Sequence, residues 1–351
     1  MNASKSRSIG VYGATGYTGR FVAAQLADRG HPVVLGGRDA AGLEEVASTL
    51  SADCEVQPAQ VDDSAALRRF AQRCAVVINC AGPFSRFGKP VAAAAIAAGS
   101  HYLDHTSQPA YLLALMRELD GPARRSGSVL VGGMSFFTGF ADLIVHRIAA
   151  RTGPLRNVAV AYAVEGWQLT PGSLATAAAQ SKADRVVYRD GTLQVLPPRG
   201  APTLGDYAFP PPLGVRQVIT DYAAVCEPVT VPRHTRTDAV QTYMTAATFA
   251  GTRLAPALRL PEQPNGDGPT RFTILVDAYD GTSGLRAWVA GTGDIYETGA
   301  LISVQAAERL ATGEVTTAGV LSPAEAFGAD GLLDALLAMP SVDGGLREER
   351  A

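Results

Sequence analysis

The sequence predicts an α/β protein: an N-terminal doubly wound parallel sheet, followed by a second α+β domain built on a mixed, largely antiparallel sheet. Three observations predict it. Short apolar runs alternate with helix-period stretches as far as Gly133, a glycine-rich turn follows the first run, and longer alternating segments joined by hairpin signals take over beyond it. Strict alternation requires a parallel sheet covered by helices, whereas hairpins build antiparallel pairs.

The first element is the apolar run that opens Ile9 to Gly19, IGVYGATGYTG. Gly13 lets the chain turn off the strand, Gly16 lets backbone approach a pyrophosphate, and Gly19 lets helix and strand pack closely, so this segment reads as a dinucleotide-phosphate cradle. Thr15, Tyr17 and Thr18, between and beside the glycines, are taken with them as cofactor-binding positions. Tyr17 to Arg29 has one apolar face and Gly30 as its stop; Pro32 to Gly37 is a second buried strand. Helix Ala41 to Leu50, a strand near Glu55 to Val61, helix Ser64 to Arg73 and the apolar Ala75 to Gly82 continue the alternation. Helix Lys89 to Gly99, strand His101 to Asp104, helix Gln108 to Arg125 and strand Ser128 to Gly133 complete it.

Further on, Asn157 to Val164 reads as a long strand. Arg185 to Leu196 is a hairpin turning at Asp190-Gly191, and Phe272 to Ala290 is a second one turning near Asp280-Gly281. Pro197 to Gly214 is too rich in Pro and Gly for regular structure and reads as a lid or surface loop. Gly299 to Leu310 is helical. The domains expected are 1–133, dinucleotide-binding; 134–298, substrate-binding; and 299–351, a C-terminal helical segment packing back on the first.

Composition narrows the function. A chain of 351 residues, 47% hydrophobic and 18% charged, can bury a large core, and its net charge of -3 offers no attraction to nucleic acid or an anionic membrane. The polar start MNASKSRS lacks the apolar core of a secretory signal, and no run is long enough to span a bilayer, so a cytoplasmic location is expected. Cys54, Cys74, Cys80 and Cys226 form no CxxC pair, as suits a reducing compartment. No metal is expected: His101 and His105 stand four apart without a third ligand.

The second strand ends in Gly36-Gly37-Arg38-Asp39. An acid there would bind a ribose diol, whereas Arg38 offers a permanently charged fork for a 2′-phosphate, so NADP(H) is the cofactor favoured. Asp62, ending the third strand, is placed to meet the adenine amino group or to cap the next helix. The fourth strand ends in Asn79-Cys80-Ala81-Gly82-Pro83-Phe84, where Ala81, Gly82 and Pro83 let the nicotinamide side lie against backbone and Phe84 could cover the ring or pack in the core.

Four blocks in order, GATGYTG, GGRD, NCAGPFSRFGKPV and AAGSHYLDHTS, resemble the saccharopine dehydrogenase-like oxidoreductases, which include saccharopine reductases and trans-acting enoyl reductases. The similarity covers roughly residues 1–140. It implies an N-terminal Rossmann domain, a larger substrate domain with a mixed sheet, and hydride transfer from a nicotinamide in the cleft between them. The chain departs from the family where Tyr-x-Asp-x-(Thr/Ser)-Gly-Glu becomes Tyr102-Leu103-Asp104-His105-Thr106-Ser107-Gln108, and where Gly-Gly-Thr becomes Pro171-Gly172-Ser173-Leu174. A substrate unlike saccharopine is expected.

Hydride addition to C=N, C=O or polarised C=C needs a proton at the other atom, so Tyr102, Asp104 and His105 are the catalytic candidates, with water or the substrate itself as the other source. A structural reading stands beside it, with Tyr102 filling core, Asp104 capping the next helix and His105 at the surface. Tyr162, Glu165, Trp167 and Tyr243 are available to line a substrate cleft. The Tyr-x-x-x-Lys of short-chain dehydrogenases, the nucleophilic cysteine of acyl-phosphate reductases and the closing glycine of a nucleophile elbow are missing. The function expected is therefore an NADPH-dependent reductase of a small or carrier-bound metabolite in specialised metabolism, acting on C=N or C=C. The alternatives are a carbonyl reductase of the same fold and a non-catalytic NADP-binding sensor. The partner is a small-molecule or carrier-bound substrate, and a homodimer is compatible.

Overall fold

The computed structural model describes residues 8–52, 54–250, 252, 254 and 269–350; the start MNASKSR, read above for its polarity, lies outside them. The elements in chain order begin with β1 (Ser8–Tyr12), α1 (Tyr17–Asp28), β2 (Val33–Gly37), α2 (Ala40–Ser48), β3 (Cys54–Pro58), α3 (Ser64–Gln72), β4 (Cys74–Asn79) and α4 (Phe84–Ala98). Next come β5 (His101–Asp104), α5 (Pro109–Ser126), β6 (Val129–Val131), α6 (Gly139–Thr152), β7 (Asn157–Glu165), α7 (Pro171–Gln180), β8 (Arg185–Arg189), β9 (Thr192–Leu196), β10 (Thr203–Ala208) and β11 (Val215–Thr220). Then follow α8 (Glu227–His234), β12 (Ala239–Thr245), the short 3-10 turn Ala246–Phe249, β13 (Arg271–Tyr279), β14 (Gly284–Thr292), α9 (Ile295–Ala311), β15 (Gly319–Leu321), α10 (Pro323–Phe327), α11 (Leu332–Leu337) and β16 (Arg347–Arg350). Two units result: 1–106, 111–136 and 296–327 form one, and 107–110, 137–295 and 328–351 the other.

The first unit holds a seven-stranded sheet in the order β15-β6-β5-β4-β1-β2-β3. Every pair in it is parallel. β1, β2 and β4 are buried almost throughout, as strands covered on both faces must be. The helices bury one stripe each, exemplified by Leu67 and Phe70 on α3. The order reverses between β1 and β4, so the loops after these two strands open side by side at the carboxyl edge.

Two elements of this unit differ from expectation. α4 starts at Phe84 rather than Lys89 and carries Pro90 inside it. The proline signals a helix start in sequence, but burial of Phe84, Gly88 and Val91 along the helix outweighs the lost backbone bond. The seventh strand, β15, comes from the C-terminal region and pairs with β6; a three-residue strand has no period to read.

The second unit is built on a nine-stranded sheet, β10-β11-β12-β7-β13-β14-β16 with β8 and β9 attached through β12. β7 lies parallel to β12 and antiparallel to β13, which makes the sheet mixed. Both hairpins form: Asp190 and Gly191 take positive φ between β8 and β9, and β13 pairs along its length with β14. The segment Pro197 to Gly214 corrects the sequence reading, because Thr203–Ala208 forms the edge strand β10, paired with β11. Its prolines flank those six residues rather than interrupt them, and an edge strand tolerates Gly205. Within the C-terminal segment, residues to 327 fall in the first unit and those from 328 in the second, where β16 pairs with β14.

Candidate functional site

The glycine loop is shaped by hard contact. Gly13 has φ +82, and a Cβ there would stand 3.0 Å from both the amide and the Cβ of Ala81 in the turn after β4. The two loops that flank the order reversal therefore touch backbone to backbone. A Cβ on Gly19 would collide with the Gly13 carbonyl, so the first turn of α1 packs directly on the loop. The Gly13 amide is tied to the Gly36 carbonyl at 2.8 Å, which fixes the loop to the end of β2. α1 begins after Gly16 with no side chain capping it, whereas Asp39 caps α2 and Asp63 caps α3. An uncapped start of this kind, which α4 after Pro83 shares, suits a phosphate. Thr15 and Thr18 are half-buried there, and the exposed Tyr17 ring meets Phe21 and Tyr296 edge-on.

Arg38 follows β2 and is exposed. Arg38 and Asp62 both act electrostatically on the Tyr12 hydroxyl, which burial, first, and Asp62 push up to about 12 against the pull of Arg38. This places cation and carboxylate around the same strand ends. Asp39 is engaged elsewhere, accepting the Gly42 amide at 3.1 Å. Capping of α3 falls to Asp63, at 2.9 Å from the Ala66 amide, and not to Asp62.

The turn after β4 rests on a buried polar network. Asn79 Oδ1 accepts the Ala81 amide at 3.0 Å, and Asn79 Nδ2 donates to the Tyr102 hydroxyl at 3.0 Å. Tyr102 donates to Asp104 Oδ2 at 3.0 Å, and Tyr111 donates to the same oxygen at 2.9 Å. Asp104 Oδ1 accepts the amides of Thr106 and Gly133 at 3.0 and 3.1 Å. Asn79, Tyr102 and Asp104 are all 0% exposed. Burial drives the Asp104 carboxyl upward, the two amides and two hydroxyls pull it back, and both tyrosines are pushed far up by burial and by Asp104. Ala81, Gly82 and Pro83 are half-buried above this network, while the Phe84 ring lies within the apolar core near Tyr111.

His105 is half-buried, with Nε2 2.9 Å from Ser303 Oγ. Ser303 gives its own hydrogen to the Ala300 carbonyl at 3.0 Å, so His105 Nε2 carries the proton and Nδ1 is left as an acceptor. Burial lowers the imidazole to about 4. At neutral pH this histidine is an uncharged acceptor.

Asn79, Tyr111 and Ser303 were not singled out as site residues by sequence reasoning. A polar residue closing the apolar run of β4 was the available signal for Asn79; Tyr111 sits in an ordinary helix pattern and Ser303 lies far along the chain. In the second unit Tyr162 is fully buried and bonded to Glu227, Trp167 and Tyr243 are half-buried, and Tyr243 stacks on Tyr207 at 4.5 Å. Glu165 is half-buried at the end of β7. Among the described residues no group of three or more His, Cys, Asp or Glu could hold a metal ion, and no helix is long and apolar enough to cross a membrane.

Residues 9–131 match the family model of the saccharopine dehydrogenase NADP binding domain. A trans-acting enoyl reductase of Mycobacterium ulcerans is 29% identical over 155 residues, 43% of this chain and 37% of that protein. The human saccharopine dehydrogenase-like oxidoreductase is 29% identical over 150 residues, 38% of this chain and 35% of that protein. The match with this chain spans little more than a third of the length of these relatives. Apo saccharopine dehydrogenase (L-Glu forming) from Saccharomyces cerevisiae superposes with a TM-score of 0.65 over 98% of this chain and 100% of that one, at 11% identity, which is a likeness of fold. On the loop geometry and these matches, the chain has the saccharopine dehydrogenase fold, and its residues 9–131 are similar to the saccharopine dehydrogenase NADP binding domain.

Proposed function

We propose that the protein is an NADPH-dependent reductase that delivers hydride to a C=C or C=N bond of a small or carrier-bound metabolite. The observation that carries this reading is the contact of the glycine loop with the Ala81 turn at the reversal of strand order, with Arg38 at the end of the neighbouring strand. Gly13, Thr15, Gly16, Tyr17, Thr18 and Gly19 hold the pyrophosphate, Arg38 takes the 2′-phosphate, Asp62 meets the adenine, and Ala81, Gly82 and Pro83 support the nicotinamide side. Bound NADPH supplies the hydride. The chain's own residues orient and exclude. Tyr102 and Asp104 act through Asn79 to hold the Ala81 turn, because neither side chain has surface to offer a substrate. His105 stays neutral with Nδ1 as an acceptor, so it orients a donor, and the proton comes from water or the substrate.

The C=C reading draws support from the trans-acting enoyl reductase among the relatives. The chain's Ser107-Gln108, in place of the family's Gly-Glu, supports a substrate other than saccharopine. Titration of the purified protein with NADPH and with NADH tests the cofactor, and equal, weak binding of the two would overturn it. Oxidation of NADPH in the presence of an enoyl thioester tests the reaction.

A further inference from the structure

Thr138 precedes α6 with φ 70 and ψ -53, a region that threonine rarely enters. The Gly139 amide closes on the Phe137 carbonyl at 2.8 Å, so the strained residue is the centre of a positive-φ γ-turn. Three contacts hold it: the Thr138 amide donates to Tyr162 Oη at 3.1 Å, the Cys226 amide donates to Thr138 Oγ1 at 3.0 Å, and Thr138 Oγ1 reaches Glu227 Oε2 at 3.4 Å. Tyr162 in turn donates to Glu227 Oε1. Thr138, Tyr162 and Glu227 are all 0% exposed. A buried carboxyl and a strained backbone each cost free energy, and strain of this kind persists only where surrounding structure over-determines it.

The turn fixes Phe137, the residue before it. Phe137 is half-buried, edge-on to Tyr162 at 5.2 Å and to the half-buried Trp167 at 5.9 Å. Trp167 continues onto Phe249 at 6.1 Å. A row of large rings is thus braced from behind by a polar clamp, with two of its members partly open.

We propose that Phe137 and Trp167 form the wall of a site in the second unit for the apolar part of the substrate, and that Thr138, Tyr162 and Glu227 are the positioning residues that set this wall. The substrate assignment rests on the reductase reading. Burial pushes the Glu227 carboxyl up to about 7, and an uncharged amide of the same shape keeps an oxygen to accept from Tyr162.

Trp167 and Trp288 are the chain's two tryptophans, and Trp288→Phe leaves Trp167 as the reporter. Full-length protein carrying that change is titrated with octanoyl-pantetheine, a saturated thioester that cannot accept hydride, and with succinyl-pantetheine. A saturable change in Trp167 fluorescence is expected with the octanoyl compound, with binding about tenfold weaker for the succinyl compound and for Phe137→Ala. Glu227→Ala should weaken binding similarly and Glu227→Gln should restore it, a recovery that bulk core packing alone would not require. No saturable response, equal binding of the two thioesters, or binding unaffected by Phe137→Ala would each overturn the proposal. Because the probe is not reduced, failure of an enoyl thioester to consume NADPH would overturn the reductase reading and leave this binding result standing.

Discussion

Asn79 Oδ1 accepts the amide of Ala81 at 3.0 Å, which ties the turn at the end of β4 to a buried side chain two residues earlier. Through Asn79 Nδ2 the same side chain joins Tyr102, and through Tyr102 it joins Asp104. Tyr102→Phe removes the acceptor for Asn79 and a donor to Asp104, and leaving buried partners unmade costs about 1–3 kcal/mol. The variant should unfold at lower urea concentration and bind NADPH more weakly. A variant with native stability and affinity but slowed turnover would instead make Tyr102 a chemical participant.

Gly13→Ala should damage the cofactor loop directly. Alanine at φ +82 costs about 1–2 kcal/mol of backbone strain, and its Cβ would press on Ala81 at 3.0 Å. Loss of NADPH binding together with a lowered melting temperature is expected, read by fluorescence titration and a thermal melt.

Arg38→Ala should separate the two nicotinamide cofactors. A charge-assisted hydrogen bond is worth about 1.5–3 kcal/mol, so NADPH affinity should fall about ten- to a hundredfold with NADH affinity nearly unchanged. Parallel isothermal titrations check this. Asp39→Ala, by contrast, removes the cap of α2 and should lower stability more than it alters the cofactor ratio.

Two groups, the half-buried His105 and the buried Glu227, tilt stability with pH in opposite directions. His105 is lowered from 6.5 to about 4, so between these values the unfolded chain takes a proton that the folded chain refuses, and stability falls as pH drops through that window. Glu227 is raised from 4.5 to about 7, so the folded chain keeps a proton that the unfolded chain releases, and stability falls as pH rises. Glu227 faces Tyr162, Thr138 and Cys226, with Asp142 of α6 adding to its rise, and Asp142 is itself paired with His234, which meets His146. Relative to the native protein, Glu227→Gln should lose stability more steeply toward acid and His105→Asn more steeply toward neutral pH. Melting temperatures measured across the window decide it.

The first sheet was legible because β1, β2, β4 and β6 are short apolar runs bounded by turns, and because Gly13 and Gly19 mark a place where backbone must approach backbone. That Arg38 follows the second strand was legible from its position alone. Segments without a period were not. β15 is three residues long, β16 reads REER, and β10 hides between prolines; each is a strand only because a neighbouring strand offers it hydrogen bonds.

The sequence by itself determined where a dinucleotide loop begins, which cation stands beside it, and that a parallel sheet gives way to a mixed one. These follow from local spacing, since a strand, a tight turn and a helix are set by neighbours along the chain. Tertiary structure alone decided where the buried polar residues sit and what they bond. Tyr102, Asp104, Tyr162 and Glu227 have side chains that could serve chemistry or architecture, and the choice depends on burial and on partners distant in sequence, such as Asn79 for Tyr102 and Thr138 for Glu227. A carboxyl enclosed by donors fixes the backbone around it, because in a desolvated setting each of those hydrogen bonds is costly to break.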